Sequence, residues 1–214
     1  MIGSITLKVC GITSVNDAVT SAGIGADWLG FIFYPDSPRH VTEAKFKVMA
    51  AQLPTVKKVA VCVEPAPPDL ARLGQLGFDA FQVHFRPDLP LPQIAAWSEA
   101  VGISRLWLAP KLPPGQDVKA EWLPLARTFL LDTFHPDKFG GTGQTGDWAK
   151  YERHAAAHPA TTWILSGGLN PDNVAAAVAA TDTLFIDVSS GVESSPGLKC
   201  QEKLFAFWRA LGHR

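Results

Sequence analysis

The sequence predicts an α/β fold: one small (βα)8 TIM barrel, parallel and eight-stranded with short loops, spanning residues 1–214 as a single domain. Three observations predict it. Eight short runs rich in β-branched and aromatic residues start 22 to 33 residues apart, the room needed for one strand, one helix and two tight loops. These runs are near-continuously apolar, the pattern of strands buried on both faces of a parallel sheet. Apolar residues make up 47% of the chain and charged residues 18%, which suits a large core and argues against disorder.

The strands expected are Ile5–Cys10, Asp27–Tyr34, Lys57–Val63, Asp79–Phe85, Arg105–Ala109, Thr128–Asp132, Thr161–Ser166 and Thr183–Val188. Between them, apolar spacing near the helical period marks Asn16–Ile24, Thr42–Leu53, Asp69–Leu76, Leu91–Val101, Trp148–Ala157, Pro171–Ala179 and Glu202–Leu211, with Ala120–Ala126 the weakest pattern. Asn170 reads as an N-cap and Pro171 as the first residue of its helix. Gly and Pro, 18 and 17 in number, fall in short clusters that imply many short connections. At 214 residues the chain is at the small end for a fold that usually takes about 250. An open doubly wound sheet would need a G-x-G-x-x-G loop after the first strand, and Cys10-Gly11-Ile12-Thr13 is not one.

Charge excludes some partners. With 19 Lys+Arg against 20 Asp+Glu, and a formal net charge of -1, the chain has no basic excess for nucleic acid or an anionic membrane. The first residues carry no basic region followed by a long apolar stretch, so a cytoplasmic location is expected. Cys10, Cys62 and Cys200 form neither a C-x-x-C pair nor a zinc-finger pattern. His154 and His158 stand four apart on one helix without a third ligand nearby, so no metal is expected. The seven tryptophans are scattered and read as packing residues.

In barrels of this kind the chemistry gathers at the C-terminal strand ends and the loops that follow. Ser166-Gly167-Gly168 ends the seventh strand and leads into a helix, and Ser189-Ser190-Gly191 follows the eighth. Glycine-exposed N–H groups at a helix entrance attract an anion, so the pair of loops points to a phosphorylated small-molecule substrate. Either loop alone would be an ordinary glycine turn. Cys10 ends the first strand; alone it would read as a packed thiol. Alternation puts Thr6, Lys8 and Cys10 on one face, and a cation at Lys8 would lower the thiol pKa toward neutrality. Asp187 on the eighth strand is the expected partner of Lys8, or else a cap for the following loop. Asp132 ends the sixth strand across the barrel mouth, where it is either a turn acid or the second member of an acid–base pair with Cys10.

At these residues the sequence resembles the phosphoribosylanthranilate isomerase family of tryptophan biosynthesis. The resemblance runs from Lys8 to about Lys199. It rests on Lys8-Val9-Cys10-Gly11-Ile12-Thr13, Gly30-Phe31-Ile32-Phe33 with Ser37-Pro38-Arg39-His40-Val41, and Phe81-Gln82-Val83-His84. Leu131-Asp132, Phe139-Gly140-Gly141-Thr142-Gly143-Gln144-Thr145, Ser166-Gly167-Gly168-Leu169 and Asp187-Val188-Ser189-Ser190-Gly191-Val192-Glu193 complete it. The family's reaction is the cofactor-free Amadori rearrangement of N-(5-phosphoribosyl)anthranilate to 1-(2-carboxyphenylamino)-1-deoxyribulose 5-phosphate.

The resemblance implies Asp132 as general acid at the ring oxygen and Cys10 as general base at C2. It implies Arg39 for the anthranilate carboxylate, Gly167, Gly168, Ser189, Ser190 and Gly191 for the phosphate, and Gly140, Gly141, Thr142 and Gly143 as an active-site loop. Lys8, Asp187 and His84 are tuning candidates, with His84 read as a neutral structural histidine satisfied by hydrogen bonds in preference to a direct catalytic role. Phe85 stands where the family usually has glycine and Glu64 where asparagine is common, which puts the fourth loop's substrate contacts in question. The expected assembly is a monomer or homodimer. The competing readings are a non-catalytic phosphosugar-binding barrel and another sugar-phosphate isomerase or synthase barrel; the latter would want lysine and glutamate at strand ends, or an aspartate where Cys10 stands.

Overall fold

The computed structural model describes residues 5–133 and 147–212. Eight parallel strands close a barrel in chain order: β1 (Thr6–Cys10), β2 (Trp28–Ile32), β3 (Lys57–Val63), β4 (Ala80–Phe85), β5 (Leu106–Pro110), β6 (Thr128–Leu131), β7 (Thr162–Leu165) and β8 (Phe185–Val188). The helices are α1 (Val15–Gly23), α2 (Glu43–Ala50), α3 (Pro67–Gly74), α4 (Leu91–Val101), α5 (Trp148–Ala157), α6 (Val174–Thr181) and α7 (Gln201–Gly212). A short antiparallel hairpin, β9 (Glu193–Ser195) with β10 (Leu198–Lys199), follows β8 and was not expected from the sequence.

Side-chain caps start several helices where the sequence offers them. Ser14 Oγ accepts from the Asp17 N–H at 3.1 Å, Thr42 Oγ1 from Lys45 N–H at 3.1 Å, and Asp147 Oδ1 from Lys150 N–H at 2.9 Å. Each satisfies an N–H that the first helical turn leaves without a backbone partner.

Alternation along the strands sorts the apolar residues into two cores. Cys10, Val59, Val61, Ala80, Trp107, Ala109, Leu130, Ile164 and Phe185 pack together inside the barrel. Their sequence neighbours, such as Val9, Ala60, Phe81, Leu108, Phe129 and Ile186, face outward to the helices. Both faces are dry, which is why the strands read as unbroken apolar runs. Trp107 fills the lumen edge-on between Trp28 and Phe185, at centroid distances of 4.6 and 5.5 Å. These rings fill part of the lumen with packed hydrocarbon.

Several expected boundaries move. The second strand stops at Ile32, because Ile32 O accepts from Val41 N–H at 2.8 Å across a turn through Ser37 and His40. The weakest helix becomes a 3-10 segment, Ala120–Leu125, since Pro124 has no N–H to continue an α-helical ladder. The sixth helix starts at Val174 and not at Pro171. Asn170 Oδ1 does accept from Asp172 N–H at 2.8 Å and from Asn173 N–H at 3.2 Å, but Asn173 Oδ1 in turn accepts from Asn170 N–H at 2.8 Å. This reciprocal pair closes a turn first and delays the helix by three residues. Trp208 also departs from expectation: it is 42% exposed on α7.

Phe85 points outward and is fully buried, edge-on to Trp97 at 5.6 Å and Trp122 at 5.1 Å. It therefore anchors α4 and the 3-10 segment to the barrel wall and does not intrude on the mouth. Phe85→Ala should lower unfolding free energy by about 3–5 kcal/mol, the range for emptying a buried aromatic position. Urea denaturation checks this, and a loss under about 1 kcal/mol would contradict the packing role.

Candidate active site

The C-terminal ends of the strands enclose a cavity of about 700 Å³, counted to its open mouth. Cys10, Arg39, His84, Asp132, Gly167, Gly168, Asp187, Ser189 and Ser190 all line it, with Tyr34, Ser37 and Gln82. Residues far apart in sequence meet here because every strand runs the same way and ends on the same rim.

At its base, Lys8 Nζ donates to Asp187 Oδ1 at 2.8 Å, joining β1 to β8 where their backbones pair in register. Lys8 is fully buried and Asp187 nearly so. Burial opposes the charge on Lys8, but Asp187 and the neighbouring Cys10 outweigh it, and the ammonium is held above lysine's ordinary pKa. Gly30 leaves room beside this pair. A Cβ there would stand 2.8 Å from Cys10 Sγ and 3.2 Å from Lys8 Cε.

Lys8 acts on the Cys10 thiol in the expected direction, but burial works against it more strongly. Burial pushes the thiol up, Lys8 pulls it down, and Asp187 pushes it up again, so the net direction is upward. The ammonium acts on both the carboxylate and the thiol. Asp132 shifts in the same direction: burial pushes its carboxyl up to about 6, against a hydrogen bond from its neighbour's backbone, Thr133 N–H to Oδ1 at 2.8 Å. It gives up its proton closer to neutrality than an ordinary aspartate does. His84 is held neutral, pushed down to about 3 by burial and by Lys8. It shares a 2.7 Å hydrogen bond with Gln82 Nε2 and carries no charge with which to tune the thiol.

The seventh and eighth loops meet beside Asp132. Gly167 and Gly168 take left-handed φ values of +93° and +64°, open to glycine at no steric cost. Among the described residues, no acceptor takes their N–H groups. Gly168 O is held from behind by Asn173 Nδ2 at 3.0 Å. Ser189 Oγ donates to Cys10 O at 3.1 Å, tying the eighth loop to the end of β1. Gly191 admits the seventh loop closely, since a Cβ there would collide with Leu169 O. Free N–H donors where two loops converge have the geometry that suits an anion.

Arg39, from the loop after β2, crosses over Gly11, where a Cβ would stand 2.6 Å from Arg39 Cδ. Its guanidinium is gripped by Glu193: Nε donates to Oε1 at 2.9 Å and Nη2 to Oε2 at 2.7 Å. Lys199 Nζ donates to the same Glu193 Oε1 at 2.9 Å. Sequence reading missed Glu193 and Lys199 as parts of the site. The signal available was a glutamate and a lysine flanking the Ser194–Leu198 turn next to the anion loops.

Gly140, Gly141, Thr142 and Gly143 lie outside the described residues. His154 is spent on backbone: Nε2 accepts from Val118 N–H at 3.0 Å and Nδ1 faces Lys150 O at 2.8 Å. Glu64 takes the Arg86 guanidinium and backbone N–H at 2.8 to 2.9 Å, on the outer rim.

A closed parallel barrel with a thiol, a carboxyl group of raised pKa, an arginine and free loop N–H donors around one mouth defines a (βα)8-barrel enzyme of acid–base type. The family model for N-(5'-phosphoribosyl)anthranilate (PRA) isomerase matches residues 7–210. The chain belongs to that family. It is 34% identical over 212 residues to the N-(5'-phosphoribosyl)anthranilate isomerase of Zymomonas mobilis, covering 97% of this chain and 98% of that one. It is 36% identical over 213 residues to the enzyme of the same name from Synechococcus sp. strain JA-3-3Ab, covering 98% and 90%. Among solved structures, the phosphoribosyl anthranilate isomerase of Thermus thermophilus superposes with a TM-score of 0.80 at 28% identity, over 97% of this chain and 98% of that one. Another isomerase structure, in complex with reduced 1-(o-carboxyphenylamino)-1-deoxyribulose 5-phosphate, superposes with a TM-score of 0.73 at 29% identity, over 97% and 98%.

Asp187→Asn should cost about 3–5 kcal/mol of stability, because it leaves the Lys8 ammonium buried without a counter-charge. The double variant Lys8→Met with Asp187→Asn should recover part of that loss. Chemical denaturation of Asp187→Asn, Lys8→Met and the double variant measures both, and a double-variant loss equal to the sum of the two single losses would show that the pair is not coupled.

Proposed function

We propose that this chain isomerises N-(5-phosphoribosyl)anthranilate to 1-(2-carboxyphenylamino)-1-deoxyribulose 5-phosphate, a step of tryptophan biosynthesis, with Asp132 as general acid and Cys10 as general base. The observation that carries the reading is that these two groups line one cavity together with Arg39, Gly167 and Gly168. A substrate with a carboxylate at one end and a phosphate at the other spans that arrangement. Guanidinium matches carboxylate through paired hydrogen bonds, and loop N–H groups match phosphate oxygens.

The steps balance without an outside electron acceptor. Protonated Asp132 gives its proton to the ring oxygen as the C1–O bond breaks, and the nitrogen lone pair forms a C1=N iminium. The Cys10 thiolate removes the proton on C2, now acidified by the adjacent iminium carbon. The C2–H electron pair becomes the C1=C2 bond of an enolamine. Ketonisation then adds a proton at C1 and releases the one on O2, so C2 is oxidised and C1 reduced by the same amount.

The pKa order sets the pH dependence. Asp132 ionises near 6, while the thiol holds its proton above its ordinary value. Between these limits the pair holds one proton, mostly on sulfur. The competent form has it on Asp132, and that minor fraction is constant across the interval. Below pH 6 both groups are protonated and the base is lost; above the thiol's pKa both are ionised and the acid is lost.

Three results are expected. Mixing the protein with phosphoribosylanthranilate should quench the anthranilate fluorescence of the substrate at a catalytic rate, whereas a non-catalytic binder would show stoichiometric change only. Cys10→Ser should lower kcat by about 10²- to 10⁴-fold with product binding little changed; equal losses in both would mean that the sulfur only packs. The pH profile of kcat/KM should rise through about pH 6 to a plateau. A profile that falls through pH 6 would mean that the thiol is already ionised there and would reverse the order of the two pKa values.

A further inference from the structure

Arg39, Glu193 and Lys199 form a row of buried charges along the rim, with side-chain exposures of 10%, 4% and 1%. Glu193 sits between two cations, so the row carries one positive charge in excess. Its carboxylate is also held by Gly197 N–H at 3.3 Å, and its backbone carbonyl accepts from Lys203 Nζ at 2.8 Å. Lys199 reaches onward to Ser189 O at 3.2 Å, the residue that begins the anion loop.

A guanidinium presents two hydrogen-bonding forks, one through Nε and Nη2 and one through Nη1 and Nη2. Glu193 fills the first. Among the described residues Nη1 has no partner, and Arg39 lines the cavity. With its stem laid over Gly11 and one fork occupied, the arginine has its second fork directed by the protein before any ligand arrives.

We propose that Glu193, braced by Lys199, is a positioning residue that aims the free fork of Arg39 and thereby selects substrates bearing a carboxylate on the N-aryl ring. The inference rests on the isomerase reading above and extends it to specificity. Aim and charge make opposite demands. If Glu193 served only to moderate charge, removing its negative charge would leave the rim more positive and tighten binding of a carboxylate. If it sets the fork, the same change loosens it.

Calorimetric titration with two ligands separates these cases: 1-(2-carboxyphenylamino)-1-deoxyribulose 5-phosphate, and the 1-phenylamino analogue lacking the carboxylate. Glu193→Gln should weaken the first by about 10- to 100-fold, the usual scale for losing an orienting partner, and leave the second within about twofold. In an Arg39→Met background the same substitution should change neither ligand. Glu193→Asp, which keeps the charge for Lys199 but shortens the reach, should weaken the first ligand in the same direction and serves if the Gln variant does not fold. Retained or tighter carboxylate binding in either Glu193 variant overturns the positioning role while leaving the isomerase reading intact. An effect of Glu193→Gln that persists without Arg39 also overturns it. A wild-type protein that fails to prefer the carboxylate ligand removes both the carboxylate subsite and this inference.

Discussion

The Lys8–Asp187 ion pair is the constraint around which the site is organised. Both charges are deep in the barrel, where neither is tolerable without the other. Their 2.8 Å contact ties the first strand to the last, and so places the Cys10 thiol beside the loops that follow β7 and β8. It also accounts for the electrostatics of the neighbours. Lys8 helps keep His84 neutral, and Asp187 adds to the lift on both Cys10 and Asp132, so that both groups hold their protons more tightly than they would in water. Burial supplies most of each shift, and the pair adjusts the balance.

Much of the architecture was legible in the sequence because two-sided burial leaves a strong trace. Strands such as Val59-Ala60-Val61-Cys62 are apolar on both faces, and their recurrence leaves few alternatives to a closed parallel barrel. Boundaries were less legible where local hydrogen bonds competed. The Asn170–Asn173 turn and the proline-limited 3-10 segment are decided by side-chain acceptors and a missing donor, which hydrophobic periodicity does not record.

The site was legible in its residue types and less so in its electrostatics. Cys10, Asp132, Arg39 and the glycine loops could be nominated from strand-end position and from resemblance. The upward shift of the thiol could not, because it depends on how deeply the sulfur is enclosed and on the opposing effects of Lys8 and Asp187. Glu193 and Lys199 were passed over for a related reason. They belong to a hairpin after the last barrel strand, and only the folded chain brings them to an arginine 154 residues earlier. A charged residue in such a segment reads as solvated until its partners are known.

The backbone contact between Gly191 and Leu169 bears on how the mouth meets its ligand. Two loops that touch main chain to main chain cannot close further on an arriving anion, and they need no long side chain to be gathered in and stilled. The disorder that a binding event would otherwise have to suppress has already been surrendered when the polypeptide folded. Recognition at that end is then a matter of fit to a finished mould, with little left to adjust, whereas the arginine end depends on a neighbour's grip.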